Sequence, residues 1–295
     1  MTFSSPKQIL VAIIISFVII LTGCSADLLS HPTLTPSLIP SPSDTPIPLA
    51  VIVNGEGITV ADFEAELSRY QQAQVGLGNT VTLETATQTV LNDMVDTLLL
   101  EQGAVAQGFT VDEATVQSRI DALAAKVGGL DALAAWESSH GYTDAAFRSA
   151  LRRQIAAAWM RDQIASTVSP TAEQVHGKQI LRYNESEAQQ ALGYLQAGWN
   201  FEDLAAQYDQ VTKGELGWFP RGYLPSKAIE DAAFALQPGQ YSAIIQDDTG
   251  YHILFVVERD PTRLLSPDAL LTLQEHALQG WLIQKQNEST IIYTP

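Results

Sequence analysis

The residues that could do chemistry in this 295-residue sequence are few and widely spaced. No two of its five histidines stand at a metal-ligand spacing such as i, i+4: His31, His140, His176, His252 and His276. The only cysteine is Cys24, so the chain can form neither a disulfide framework nor a thiolate zinc site. The sequence has no nucleophile-elbow pattern and no glycine-rich phosphate loop. We therefore expect no bound metal, and hydrolase or nucleotide chemistry has little support.

Charge and composition narrow the function further. Asp and Glu number 33 against 16 Lys and Arg, which gives a net charge of −17. Because nucleic-acid affinity comes largely from Lys and Arg on phosphates, we expect no nucleic-acid partner. With 46% hydrophobic residues the chain has enough apolar surface to fold, and its length suits about two domains.

The first 24 residues have the form of an export signal. Lys7 precedes an apolar run over residues 9–21, which is short for a membrane span but right for a signal-peptide core. The run ends in Leu21-Thr22-Gly23-Cys24, which resembles the bacterial lipobox. That resemblance implies cleavage after residue 23 and a diacylated Cys24 that anchors the protein to a bacterial membrane, outside the cytoplasm. An ordinary secretory signal with a chance cysteine and an uncleaved anchor are the alternatives.

Residues 24–49 are expected to form a tether. They are rich in Pro, Ser and Thr, a composition that cannot pack a core and favours polyproline II. At about 3.1 Å per residue, residues 31–49 would hold the rest of the chain up to roughly 60 Å from a bilayer. A disordered spacer would serve the same purpose.

Two modules are predicted after the tether. The first, residues 50–168, has two short strands around an Asn54-Gly55 turn and helices over about 59–74, 83–107, 112–127, 130–138 and 143–166. The second alternates strands over 178–182, 216–219, 241–245 and 251–257 with helices over 186–197, from 201, and 226–236. Strand 251–257 is apolar on both faces, so we expect it in the centre of a sheet. A last helix is predicted over 266–288, and the N-terminal helices are one surface on which it could pack.

Five strings in residues 170–262 resemble the parvulin family of peptidyl-prolyl isomerases: GWNFEDLA at 198–205, ELGWF at 215–219, IEDAAFAL at 229–236, GQYS at 239–242 and GYHI at 250–253. This resemblance implies a small, mostly antiparallel four-stranded sheet with flanking helices. Residues 50–168 resemble more loosely the helical module of SurA- and PrsA-like foldases, through Val53-Asn54-Gly55 and the helix after Thr59. We therefore expect an α+β chain with a helical chaperone-like module and a parvulin-like domain, and the helix at 264–290 is a candidate part of the former.

The resemblance also assigns residues to the reaction. It implies that a pocket for the proline ring is lined by Leu216, Leu224, Ile229 and Phe219, and that His252 occupies the family's second active-site histidine position. Plain core packing is the alternative for each. Turning an X–Pro bond requires a grip on the ring and surroundings that favour the twisted, less polar amide, so no cofactor is expected.

Three positions depart from the family pattern. Gln179 stands in the first strand where the family usually has histidine, and His176 lies three residues earlier on the other face of an extended strand. Asp209, in a shortened loop, is a candidate for the family's Cys or Asp, although an exposed loop carboxylate is the preferred interpretation. Asp247 replaces a hydroxyl residue; it either faces His252 or shapes a turn, and the turn is favoured.

These features predict a lipid-anchored foldase that isomerises X–Pro bonds in exported polypeptides. The alternative is a chaperone that holds unfolded, proline-containing segments in the same groove without turnover, which the Gln179 departure and the shortened loop favour. A purely structural envelope lipoprotein would leave the parvulin-like strings unexplained.

Overall fold

The computed structural model describes residues 47–294. The predicted signal peptide at 1–23, the predicted lipidation residue Cys24 and most of the predicted tether lie outside the described residues. The elements follow one another in the order β1 (Leu49–Val53), β2 (Glu56–Thr59), α1 (Val60–Gly76), α2 (Leu83–Ala106), α3 (Glu113–Val127), α4 (Leu130–Ser139), α5 (Asp144–Ser166), β3 (Thr171–Arg182), α6 (Glu185–Gln196), α7 (Phe201–Tyr208), β4 (Glu215–Pro220), α8 (Lys227–Ala235), β5 (Ile245–Asp247), β6 (Gly250–Leu264), α9 (Pro267–Glu288) and β7 (Ile291–Tyr293).

The helical module is closed by strands from both ends of the described chain. Its small antiparallel sheet has the order β2-β1-β7, with Val51 opposite Tyr293. Asn54 and Gly55 connect β1 to β2 with φ angles of 53° and 88°, as a tight hairpin turn requires. Helix α9 returns to pack on α2 and α5, where Trp281 joins their buried apolar residues. The second sheet, which lies between α5 and α9 in the sequence, is therefore an insertion into the helical module.

Most of these helices start after a polar N-cap residue. Thr59, Thr82, Asp112 and Thr143 each accept a hydrogen bond from a backbone N–H in the first turn of the helix that follows. Such N-caps supply the partners that the first helical N–H groups lack. Local sequence therefore sets where these helices start, and apolar burial holds them together.

The second module is built on an antiparallel sheet with the order β4-β3-β6-β5, and the expected α+β fold class is confirmed. Strand β6 is central, as its two apolar faces predicted. Strand β3 is longer than the expected 178–182, because its polar first half pairs with the far end of β6, Ala172 lying opposite Arg263. Strand β5 is shorter than the expected 241–245 and is displaced towards the turn; only an isolated bridge joins Tyr241 to Phe255.

The two faces of this sheet carry separate apolar clusters. Ile180 and Ile253 face α6 and α7, whereas Leu254 and Val256 face α8. Alternation along β6 thus divides the side chains into two layers. Among residues 47–294, no helix is both long and apolar enough to cross a bilayer.

Candidate functional site

The two central strands bring Gln179 and His252 together. Leu181 on β3 lies opposite His252 on β6, and Gln179 follows two residues away on the same face. His252 is only 3% exposed. Its Nδ1 lies 2.8 Å from Oε1 of Gln179, and its Nε2 lies 3.0 Å from both Oγ1 of Thr249 and Oδ1 of Asp247. Both ring nitrogens are therefore engaged.

This network restricts where the proton of His252 can sit. The Asp247 carboxylate only accepts hydrogen bonds, which favours a proton on Nε2. An amide such as Gln179 offers an acceptor oxygen and a donor nitrogen at nearly the same place. Gln179 can therefore donate to Nδ1 of the neutral ring or accept from the imidazolium. Gln179, which departs from the family pattern, can therefore hydrogen-bond to His252 whether the ring is neutral or charged.

Asp247 is both a turn residue and a partner of His252. Its Oδ1 accepts hydrogen bonds from the backbone N–H groups of Thr249 at 2.8 Å and Gly250 at 3.2 Å, which close the turn between β5 and β6. The Thr249 hydroxyl lies 2.7 Å from the same oxygen. Burial would raise the pKa of Asp247, but hydrogen bonds from Thr249, Ser226 and His252 outweigh it and hold that pKa well below the ordinary 3.8. Asp247 thus both shapes the turn and faces His252, which are the two interpretations that the sequence left open.

Ser226, immediately before α8, lies beside this polar network. A serine at that position usually caps the first turn, yet the side chain of Ser226 makes no such bond, and its hydroxyl is one of the groups that lower the pKa of Asp247. Sequence reasoning missed both Ser226 and Thr249. For Ser226 the local signal indicates an ordinary N-cap, so only the fold reveals that it lies near Asp247.

The four residues expected to line a proline pocket lie in one apolar cluster on the α8 side of the sheet. Phe219 is fully buried and Ile229 is 7% exposed, while Leu216 and Leu224 are half-buried against them. Phe219 is therefore buried beneath the cluster and offers no surface of its own, and the two leucines are its most exposed members among the four. Gly177 makes room for the Phe219 ring, because a Cβ on it would lie 2.9 Å from that ring.

Asp209 shapes its own loop and is not brought to His252. Its Oδ1 accepts hydrogen bonds from the N–H groups of Val211 at 2.9 Å and Thr212 at 3.0 Å. Hydrogen bonds from the Thr212 hydroxyl and these N–H groups lower the pKa of Asp209. It does line a cavity of about 290 Å³ that Gln179 shares. Asp209 thus lines the same cavity as Gln179, but its carboxylate is hydrogen-bonded within its own loop.

The loop after Asp209 is fixed to Gln179 through Gly214. The N–H of Gln179 donates to the carbonyl oxygen of Gly214 at 2.7 Å. Gly214 has a φ of 73°, and a Cβ on it would lie 2.1 Å from the carbonyl oxygen of Gln179. Glycine is required here for both reasons.

His176 takes no part in this arrangement. Its Nε2 lies 2.5 Å from Oε1 of Glu215, and its ring stacks on Trp218 with the centroids 5.3 Å apart. Within residues 47–294, no group of three or more His, Cys, Asp or Glu side chains could hold a metal ion.

Comparison with known proteins yields two domain matches. Residues 4–161 match the family described as SurA-like N-terminal domain, and residues 169–258 match the PPIC-type PPIASE domain.

Several characterised proteins are similar over part of the chain. The foldase protein PrsA of Geobacillus sp. (strain WCH70) is 36% identical over 91 residues, which are 29% of this chain and 33% of that protein. The periplasmic chaperone PpiD of Haemophilus influenzae is 48% identical over 81 residues, which are 26% of this chain and 13% of that protein. Each match thus spans a third or less of the relative. A crystal structure of the peptidylprolyl isomerase PrsA from Bacillus cereus, 22% identical, covers 82% of this chain and 86% of that chain with a TM-score of 0.44.

Proposed function

Because this chain belongs to the family of the SurA-like N-terminal domain and carries a PPIC-type domain after it, we propose that it is a foldase that isomerises X–Pro bonds in unfolded polypeptides. The observation that carries the proposal is the polar network of Gln179, His252 and Asp247, which lies on the sheet face that also bears the apolar cluster. A polar group beside an apolar ring pocket is the arrangement that this reaction requires.

The chemistry proposed for the site is conformational. Rotation about an X–Pro bond has a barrier of roughly 18–20 kcal/mol, and lowering it by about 4 kcal/mol would accelerate the exchange about a thousandfold. Leu216, Leu224 and Ile229 would hold the proline ring, while the preceding carbonyl turns beside His252. The twisted amide has lost its resonance and is less polar, so apolar walls favour it over the planar amide. No proton transfer is obligatory, which is why Gln179 is compatible with activity.

A chaperone without turnover is the second candidate. Gln179 replaces the expected histidine, and the Asp209 loop satisfies its own polar groups, which leaves fewer groups to act on a substrate. In that case the same cluster would bind proline-containing segments and release them unchanged.

NMR exchange spectroscopy on short Xaa-Pro peptides separates the two candidates. We expect the purified protein to accelerate cis–trans exchange and the His252→Ala variant to lose most of the acceleration. Gln179→His serves as a gain-of-function comparison. If only Gln179→His accelerates exchange, the native site binds without turnover; if neither does, the isomerase proposal is wrong.

We also propose that Cys24 carries the lipid anchor and that the protein acts on exported polypeptides outside the cytoplasm. The support is the sequence Leu21-Thr22-Gly23-Cys24 after an apolar run. Mass spectrometry of the mature N-terminus should find a diacylglyceryl group on Cys24, and Cys24→Ser should release the protein from membranes. An unmodified mature N-terminus would favour the ordinary secretory signal.

A further inference from the structure

The loop between β4 and α8 is held by one buried carboxylate. Glu230 is 7% exposed, and it accepts hydrogen bonds from three consecutive backbone N–H groups that precede the helix. Gly222 N lies 2.8 Å from each carboxylate oxygen, Tyr223 N lies 3.0 Å from Oε2, and Leu224 N lies 3.2 Å from Oε2. A buried carboxylate is tolerated only with such partners, and successive N–H groups turned inward form an anion-binding concavity.

We call the Glu230 carboxylate and the three N–H groups of residues 222–224 the clamp. The clamp joins two walls of the proposed proline pocket. Leu224 belongs to the clamped loop, and Ile229 is the residue immediately before Glu230 on α8. Both pack on the cluster that contains Phe219. The carboxylate therefore fixes how far the loop wall stands from the helix wall.

Helix α8 itself is held at its C-terminal end and by its buried face, so the clamp works against a fixed support. At its C-terminal end Arg259 donates to the carbonyl oxygens of Phe234 at 2.8 Å and Leu236 at 2.7 Å. Along its length Ile229, Ala233 and Phe234 are buried in the cluster that contains Phe219. With the helix immobilised, the position of Leu224 depends on Glu230.

We propose that Glu230 is the positioning residue of the proline pocket, setting the distance between Leu224 and Ile229 and thereby the affinity for a proline-containing segment. This inference rests on the proposed function. Glu230 touches no substrate; it acts through the backbone of residues 222–224.

The Glu230→Gln variant tests the inference in the full protein. An amide has one acceptor oxygen and presents its NH₂ group to the remaining N–H groups, so part of the clamp is lost. We expect faster amide hydrogen exchange at residues 222–224 and a KM for Xaa-Pro peptides raised about tenfold, with kcat changed less than about twofold. A purely structural role would lower the melting temperature without this split between KM and kcat.

Asp231→Asn is the matched control, because it makes the same charge change one residue further along the helix. Asp231 is half-exposed, with Oδ2 2.6 Å from Nζ of Lys227. We expect it to leave both the amide exchange and KM at their wild-type values. If Glu230→Gln changes them no more than Asp231→Asn does, the inference is wrong.

Two further outcomes are decided in the same experiment. If Glu230→Gln does not fold, Glu230→Asp keeps the charge on a shorter side chain, and a wild-type KM in that variant overturns the inference. If the wild-type protein does not accelerate exchange, the isomerase proposal fails. The clamp is then judged by the Kd of a proline peptide, followed through the methyl shifts of Leu224 and Ile229. A weaker Kd in the variant supports it, and an equal Kd or no binding by the wild type overturns it.

Discussion

Asp247 has two roles at the residue scale, and two substitutions separate them. Asp247→Asn keeps an Oδ1 that can accept from the N–H groups of Thr249 and Gly250, but it removes the charge beside His252. Asp247→Ala removes both. Losing hydrogen bonds to a charged, mostly buried group costs about 1–3 kcal/mol, so we expect Asp247→Ala to be destabilised by that order and Asp247→Asn by less. Urea unfolding at neutral pH measures the difference.

The same pair predicts a pH dependence. The folded-state pKa of Asp247 lies below its ordinary 3.8, so its contribution to stability is present above that value and is lost as the pH falls towards the folded-state pKa. The free energy of unfolding of the wild type should therefore fall more steeply below about pH 4 than that of Asp247→Asn. Equal slopes for the two proteins would show that the carboxylate gains nothing from its neighbours.

At the scale of the element, the loop between α7 and β4 depends on Gly214. Gly214→Ala would place a Cβ against the Gln179 carbonyl in a backbone conformation unfavourable for alanine. We expect a loss of about 1–3 kcal/mol in stability and a reduced kcat/KM, because the strand residue Gln179 is displaced.

Gly193→Ala is the comparison for this loop, since Gly193 lies within α6 with no atom near its Cβ position. That variant should be as stable as the wild type or slightly more so, because alanine favours a helix. Thermal melts and peptide exchange rates of both variants provide the check. A Gly214→Ala protein with wild-type stability and activity would contradict the assigned contact.

The starts of the helices could be predicted from the sequence more fully than the length of β3 or the contacts around the site. Thr59, Thr82 and Asp112 cap helices through residues three positions away, so these boundaries can be found in the sequence. The extra half of β3 could not be found, because its residues are polar and its partner Arg263 lies about ninety positions away. Glu230 has the same limitation: it looks like an ordinary helix-start residue, and only the folded chain shows which N–H groups it binds.

At the scale of the whole molecule, Trp281 attaches the last helix to the N-terminal ones. Its indole lies against Gly103, where a Cβ would come within 2.8 Å of it, and it packs with Met160. Removing a fully buried side chain of this size costs about 3–5 kcal/mol, and Trp281 is partly buried, so we expect Trp281→Ala to be destabilised by about 2–3 kcal/mol. Trp199→Ala, in which the lost side chain is 48% exposed, should cost far less. Unfolding by urea, followed by circular dichroism, compares them.

The pairing of β1 with β7 also determines the order in which the two modules can fold during synthesis. A chain emerges from its N-terminus, and domains usually fold as units in that order. Here the strand that must sit beside residues 51–53 is supplied by residues 291–293, after the inserted sheet has already emerged. The inserted sheet can therefore form first, whereas α1 to α5 cannot complete their packing until α9 and β7 have been synthesised. Until then their apolar faces stay open to proteases and to other chains, so we expect a truncation before α9 to spare the inserted sheet and leave the earlier helices protease-sensitive.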